Sequence, residues 1–416
     1  MQLNFGENYL ILSLKIGANN YYPMVYPIFC LKMYKTKDYD YDLPESLIAQ
    51  NPVQPPDNSK LLVCQKQSSG YKYMQGLFKD ISNFLSNESV LFFNNSKVVK
   101  AQVFLQQKEI VDKNNKHKFL KSGQVFFLDN LGDNRFEAMV FPGDKFIVGA
   151  KIYIEEDIFI MVEKITIAGR ILRLHGMSIH DFLEKHGTIP LPPYIQENSN
   201  KKELYQTNFA QIDGSTAAPT AGLHFTNNLM STLQSQGIIF EYLTLHIGIG
   251  TFKPIITEDI REYDIHQEKV IIDKQIFEKI ADYYYCGKDI VGVGTTSTRV
   301  LESLPYLWDE VRKNFKFDQQ TIKFRDFVKK QSNNEIQGLK FNENQIEFYT
   351  KVFIYPGFEF KIVQNLITNF HLPQSSLLAL VAGFMGYENL FDAYHFAIQE
   401  EYRFFSFGDA MFIKNK

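Results

Sequence analysis

Apolar and polar positions change their period twice along the chain. Between Lys97 and Leu174 the apolar residues come in short runs, Val98–Leu105, Gln124–Leu128, Arg135–Val140, Lys151–Ile154, Ile158–Ile165 and Ile171–Leu174, separated by Asn, Gly and Asp. Runs of this length and spacing predict a small antiparallel barrel or sandwich. Before them, Val90–Phe93 reads as a buried strand running into the polar turn Asn94-Asn95-Ser96. After them, helical and extended periods alternate, as in an α/β domain. Helices are predicted over Ser178–Lys185, Thr226–Gln236, Asp273–Tyr285, Thr298–Leu304, Gln374–Ala382 and Asn389–Glu400, and strands over Phe240–His246, Lys269–Ile272, Asp289–Val293 and Lys351–Ile354. Short helices are expected at Leu43–Ser46, where Pro44 suits a helix start, and at Lys79–Leu85. The tract Pro305–Phe348 is polar and without clear period, and reads as a partly helical insertion.

Residues 1–32 carry the short apolar stretch Tyr9–Leu14, with no basic segment before it and no small-residue cleavage site after it, so they make a poor secretory signal. Met33 is followed at once by a charged segment, and the functional chain is expected to begin there. The leader is then disordered and dispensable; a structured arm is the alternative.

Composition narrows the class. A length of 416 residues implies two to three domains at about 150 residues each. With 45% hydrophobic residues, 37 Phe and 23 Tyr, the chain can bury a large core. Lys and Arg total 44 against 47 Asp and Glu, a net charge of −3, so any nucleic-acid site must be local. One candidate is the run Lys97, Lys100, Lys108, Lys113, Lys116, Lys118 and Lys121, interrupted only by the acidic Glu109 and Asp112; a solvated hairpin explains it equally well. Cys30, Cys64 and Cys286 are too dispersed for a disulfide framework or a cysteine metal site, which fits a reducing cytoplasm. No apolar run reaches the roughly 18 residues of a membrane-spanning helix.

The chemistry is concentrated in polar turns. Ile290-Val291-Gly292-Val293-Gly294 followed by Thr295-Thr296-Ser297-Thr298-Arg299 reads as strand, glycine turn and helix start. Free amides and hydroxyls there can hold a carboxylate, phosphate or ribose, although an ordinary capped turn has the same sequence. Gly214–Phe225, with its run of small residues, must be a loop packed closely by a ligand or by backbone. His224, His246, His266 and His371 all sit at turn-like positions where acid/base groups are often presented; each alone also suits a hydrogen-bonded turn. His266 and Glu268 are the only close pair of potential metal ligands and lack HExxH spacing, so no metal is expected. No nucleophile elbow occurs.

These motifs resemble one family over Tyr39–Ile413. The segments that carry the resemblance are Tyr41–Gln50, Ile189–Ile195, Tyr205-Gln206-Thr207, Ala217–Phe225, Leu245–Phe252, His266-Gln267-Glu268, Val293–Glu302, Phe353–Gly357, Ile367–Leu378 and Tyr402–Met411. In this order the chain is similar to the S-adenosylmethionine:tRNA ribosyltransferase-isomerases of queuosine biosynthesis. The resemblance implies a mixed α/β domain interrupted by an inserted antiparallel β-barrel: a leader 1–32, a discontinuous α/β catalytic domain 33–96 plus 176–416, and a barrel 97–175. It also implies transfer and isomerisation of the ribosyl part of S-adenosylmethionine onto 7-aminomethyl-7-deazaguanine at the tRNA wobble position. Epoxyqueuosine-tRNA forms, and adenine and methionine leave. S-adenosylmethionine is a consumed cosubstrate, no cofactor is held permanently, and a cytoplasmic monomer without an obligate protein partner or membrane is expected.

The reaction needs a base beside the sulfonium, an acid at the departing adenine and polar groups around an opening ribose. The resemblance places His224, His266 and His371 in the acid/base set, with Glu268 and Asp409 as orienting or amine-binding carboxylates; Asp409 equally suits a turn cap after Gly408. Thr220, Gly222, Gly248, Thr251, Thr295, Thr296, Ser297, Arg299, Asn369 and Arg403 are assigned to substrate binding, and Lys97, Lys100, Lys116 and Lys118 to tRNA. The chain departs from the family pattern at Asn94-Asn95-Ser96-Lys97, where Asn-Asp-Thr-Arg is usual, and at Gln364 and Gln196. A tRNA-binding protein without catalysis and a methyltransferase are the competing classes; the latter would release S-adenosylhomocysteine.

Overall fold

The computed structural model describes residues 3–6, 9–15, 21–27, 33–196, 199–315, 329 and 335–416. Two compact units emerge, one of Met1–Asn94, Thr220–Leu243 and Gly250–Lys416, the other of Asn95–Pro219 with Thr244–Ile249.

The first unit is built on a mixed sheet of ten strands among the described residues, in the order Ile336–Phe341, Gln345–Thr350, Glu268–Asp273, Ile239–His246, Ser89–Asn94, Asp289–Val293, Asn365–Asn369, Ala410–Lys414, Lys60–Lys66 and Tyr71–Leu77. Its centre is parallel: Ile239–Leu243 and Asp289–Gly292 flank Ser89–Asn94, and Val291–Val293 pairs with Asn365–Ile367. Strands covered on both faces read as unbroken apolar runs. Ser89–Asn94 and Asn365–Asn369 are buried at every position. Both Val293 and Asn369 therefore end at the carboxyl edge of the sheet, the side on which open α/β sheets present their ligand-binding turns.

Helix starts follow local chemistry. Ser178, Thr226, Asp273 and Ser375 each accept a first-turn amide on their side-chain oxygen, which satisfies one of the donors every helix leaves free. The helix Gly294–Ser303 is different: all ten of its residues are buried, and Val293 before it offers no side-chain cap.

In the second unit the order Lys151–Tyr153, Phe159–Ile165, Arg170–His175, Arg135–Phe141, His117–Gly132 and Gln102–Val111 returns to Lys151–Tyr153, closing a six-stranded antiparallel barrel. Phe136 and Ala138 point inward between outward neighbours, and they pack with Phe146, Ile152, Leu172 and Phe182. The unit reaches beyond the predicted limit at residue 175. Ile212–Ser215 pairs in parallel with Ser96–Val98, and Thr244 donates its hydroxyl to Asn95 Oδ1 at 2.7 Å.

The mixed α/β class with an inserted barrel is thus the one observed. Individual elements differ. Lys351–Ile354, predicted as a strand, is irregular, and the strand lies at Gln345–Thr350, beginning inside the tract that showed no period and ending two residues past it. Its exposed face alternates Gln345, Glu347 and Tyr349 with buried Ile346, Phe348 and Thr350, a strand pattern masked by its polar half. The helix expected from Thr298 begins at Gly294, and Lys79–Leu85 is a 3₁₀ turn over Phe78–Asn83. Within the segment read as a leader, Leu3–Gly6, Tyr9–Lys15 and Tyr21–Pro27 form an antiparallel sheet. Among the described residues no helix is long and apolar enough to cross a membrane.

Candidate active site

Four of the residues singled out in the sequence, Thr251, His266, Glu268 and Arg299, meet at one pair of opposite charges. Glu268 opens the strand Glu268–Asp273 and Arg299 lies midway along the buried helix; the two form a buried salt bridge through Nη1 and Oε2. The guanidinium also donates from Nε to Val352 O at 2.9 Å and from Nη2 to the carbonyls of His266 and Thr350, each at 3.1 Å. Burial pushes the Arg299 guanidinium down from its ordinary value and the Glu268 carboxylate pulls it back up; a guanidinium keeps its charge inside a protein. The other Glu268 oxygen accepts the Thr251 hydroxyl at 3.0 Å, and His266 Nε2 stands 3.4 Å from both Thr251 Oγ1 and Glu268 Oε1. The ring is packed against Gly250, where a Cβ would lie 2.7 Å from its Cγ and Nδ1, so glycine is required for His266 to sit here.

These groups line one cavity with Thr295 and Thr296 from the helix start and with the apolar walls Ile265, Val352, Phe353, Ile354, Leu377 and Leu380. The His266 side chain is one quarter exposed, so it is the one histidine of the predicted set that combines a carboxylate neighbour with access from outside. None of the apolar walls was predicted; nothing separates such positions from ordinary core residues in a sequence.

The other two histidines of that set are enclosed. His224 stacks on Phe78 at 4.8 Å, and its Nδ1 lies 2.7 Å from Ser59 Oγ. Thr220 donates its hydroxyl to Asn369 Oδ1 at 2.8 Å, which leaves the Asn369 amide nitrogen to donate to His224 Nε2 at 3.1 Å. Nε2 is therefore the acceptor and Nδ1 carries the proton. His371 pairs through Nε2 with Thr368 Oγ1 at 2.8 Å, while its amide donates to the Tyr394 hydroxyl at 2.9 Å and its carbonyl accepts the Tyr41 hydroxyl. Burial lowers His224 to about 4 and His371 to about 3, so both rings are neutral near pH 7.

A pH prediction follows from these two rings. Each is depressed in the folded protein and ordinary, near 6.5, in the unfolded one. The stability linked to keeping them neutral is complete above about pH 6.5 and is lost as pH falls through that value towards their folded values. The slope approaches about 1.4 kcal/mol per pH unit for each ring. Urea unfolding at pH 7 and at pH 5 checks it; equal stabilities would mean that the rings are already charged when folded.

Asp409 behaves as a clamp. Its oxygens accept the amides of Lys60 at 3.0 Å and Arg403 at 2.7 Å, and Arg403 Nη2 stands 3.4 Å away while donating to Phe407 O at 3.1 Å. Gly222 lies in the buried turn Thr220–His224, and Gly248 has open space where a side chain would project.

In the second unit, Ser96 Oγ links Ser215 Oγ at 2.6 Å with His246 Nδ1 at 2.9 Å, and a Cβ on Gly214 would strike the His246 ring. The divergent Asn95 and Lys97 are both engaged, Asn95 by Thr244 and Lys97 by Asp213 at 3.2 Å. Of the lysines assigned to tRNA, Lys100 pairs with Glu184 at 2.8 Å and Lys118 with Asp112 at 3.2 Å, whereas Lys116 is exposed and has no carboxylate partner among the described residues. The Lys100–Glu184 pair is solvent-exposed on both sides, and pairs of that kind are weak.

Comparison with known proteins places the chain among relatives of one kind. Residues 36–413 match the family described as queuosine biosynthesis protein. The chain is 37% identical over 380 residues to the S-adenosylmethionine:tRNA ribosyltransferase-isomerase of Staphylococcus haemolyticus, covering 91% of this chain and 99% of the relative. It is 36% identical over 381 residues to the protein of the same name from a Sulfurihydrogenibium species, with the same coverage. A crystal structure of S-adenosylmethionine tRNA ribosyltransferase from Thermotoga maritima matches at 28% identity and a TM-score of 0.45, covering 90% of this chain and 99% of that one.

Proposed function

The chain belongs to the queuosine biosynthesis protein family, the S-adenosylmethionine:tRNA ribosyltransferase-isomerases, and from that premise we propose the substrates and the division of labour in its active site. The enzyme acts on tRNA. Its cosubstrate is S-adenosylmethionine, consumed as a ribosyl donor, and the acceptor is the 7-aminomethyl-7-deazaguanine wobble base. Cytoplasmic tRNA modification by a monomer is the setting that accords with this chemistry.

The observation that carries the reading is the single cavity that gathers Thr251, His266, Glu268, Thr295, Thr296 and Arg299, six positions assigned to catalysis or substrate from separate motifs. In it His266 removes the proton beside the sulfonium, since its imidazole is reachable and a base acts within hydrogen-bond distance of the proton it takes. Glu268 and Thr251 orient the ring, and Arg299 fixes Glu268. His224 and His371, neutral and bonded at their ring nitrogens, hold the Asn369 and Phe370–Leu372 turn in place. Their substitution perturbs geometry before it perturbs proton transfer.

Incubation of the protein with S-adenosylmethionine and tRNA bearing 7-aminomethyl-7-deazaguanine, followed by chromatography and nucleoside mass analysis, tests the proposal. Free adenine together with an epoxyqueuosine mass is the expected result. S-adenosylhomocysteine in place of adenine would identify a methyltransferase, and tRNA binding with neither product would identify a non-catalytic binder.

A further inference from the structure

We propose that the first turn of the helix Gly294–Ser303, together with the Thr296 hydroxyl, is the seat of the carboxylate on the methionyl part of S-adenosylmethionine; this rests on the cosubstrate reading above. An α-helix leaves its first four amides without partners inside the helix, and a helix start that is buried and uncapped needs them met from elsewhere. Here Thr295 and Ser297 are buried, Thr296 is 9% exposed, and no side chain caps the turn.

A second observation is independent of the helix. Thr296 lines the cavity, and its Oγ1 is buried with no hydrogen-bond partner among the described residues; Ser297 Oγ is in the same state. An unpaired buried hydroxyl is costly, and a ligand oxygen removes that cost. Gly294, at φ +86°, adopts a conformation open to glycine and brings the turn round without a Cβ.

Charge selects an anion and the walls select its kind. Glu268 and Arg299 neutralise each other, and four of the five N–H donors of Arg299 are engaged by Glu268 and three carbonyls, so the positive end of the helix dipole is the unbalanced field at this turn. The neighbouring walls Ile265, Val352, Leu377 and Leu380 are apolar. They suit the methylene chain that joins the amino-acid end to the sulfonium, whereas an RNA phosphate would bring a polar ribose on either side.

The test compares S-adenosylmethionine with its decarboxylated form by isothermal titration of the full chain, wild type, Thr296→Val and Thr296→Ser, alongside tRNA binding. Loss of a hydrogen bond to a charged group corresponds to about tenfold or more in affinity. Wild type is expected to prefer S-adenosylmethionine at least about tenfold over the decarboxylated form, and Thr296→Val to lose about that preference. Thr296→Ser should keep it, and tRNA affinity should not change. Equal binding of both sulfonium compounds by wild type would overturn the seat while leaving the cosubstrate reading intact. Loss of tRNA affinity in Thr296→Val would reassign the turn to a phosphate. Absence of any S-adenosylmethionine binding to wild type would overturn both.

Discussion

Replacing Glu268 by Ala is expected to lower stability by about 3–5 kcal/mol and to abolish turnover, because it strands a guanidinium in the interior. Arg299 is 7% exposed and Glu268 4%, and the remaining partners of Arg299 are neutral carbonyls that cannot balance its charge. The penalty belongs to the unpaired charge rather than to the attraction itself. Glu268→Leu combined with Arg299→Met should therefore be more stable than Glu268→Ala alone, while remaining inactive. Urea unfolding of the three proteins measures this. A cost below about 1 kcal/mol for Glu268→Ala would show that water reaches the guanidinium and that the pair behaves like a surface one.

The second large effect is on rate. His266→Gln should reduce adenine release by about 10²–10⁴-fold, the usual worth of a positioned general base, with the urea midpoint little changed. The ring is partly exposed, and its contacts to Thr251 and Glu268 are long at 3.4 Å, so little stability depends on them. His224→Gln is the control: that ring is fully enclosed and bonded to Ser59 and Asn369, and its loss should appear in the unfolding curve. If His224→Gln stays folded yet loses turnover while His266→Gln retains it, the roles are exchanged.

The sequence disclosed the parts of this molecule that are governed by local rules. The barrel strands carry inward and outward alternation, as at Arg135–Phe141, and Asp289–Val293 is a continuous apolar run bounded by a glycine turn. Elements defined by distant partners were less visible. Lys60–Lys66 is a strand because it lies between Tyr71–Leu77 and the last strand of the chain, Ala410–Lys414, more than 300 residues away. The site divided along the same line. His266, Glu268, Thr295 and Arg299 were chosen as polar residues at turns, but that Arg299 would be held against Glu268 depends also on Thr350, the end of an unpredicted strand, and on Val352, in a stretch predicted as a strand and found irregular. Likewise Asn369 fixes the proton position on His224 only because Thr220 reaches it from another segment.

The closure of the barrel has a consequence for how the second unit breathes. Around most of the ring, long strands share extended ladders, as between Gln102–Val111 and His117–Gly132. The ring is completed by Lys151 opposite Val111 and Ile152 opposite Ile110. A ladder that brief is the point of least resistance to local unfolding. The barrel opens there like a jacket at its fastening, and the amides of Lys151–Tyr153 exchange with solvent deuterium before those of Arg135–Phe141, while every other stave remains paired.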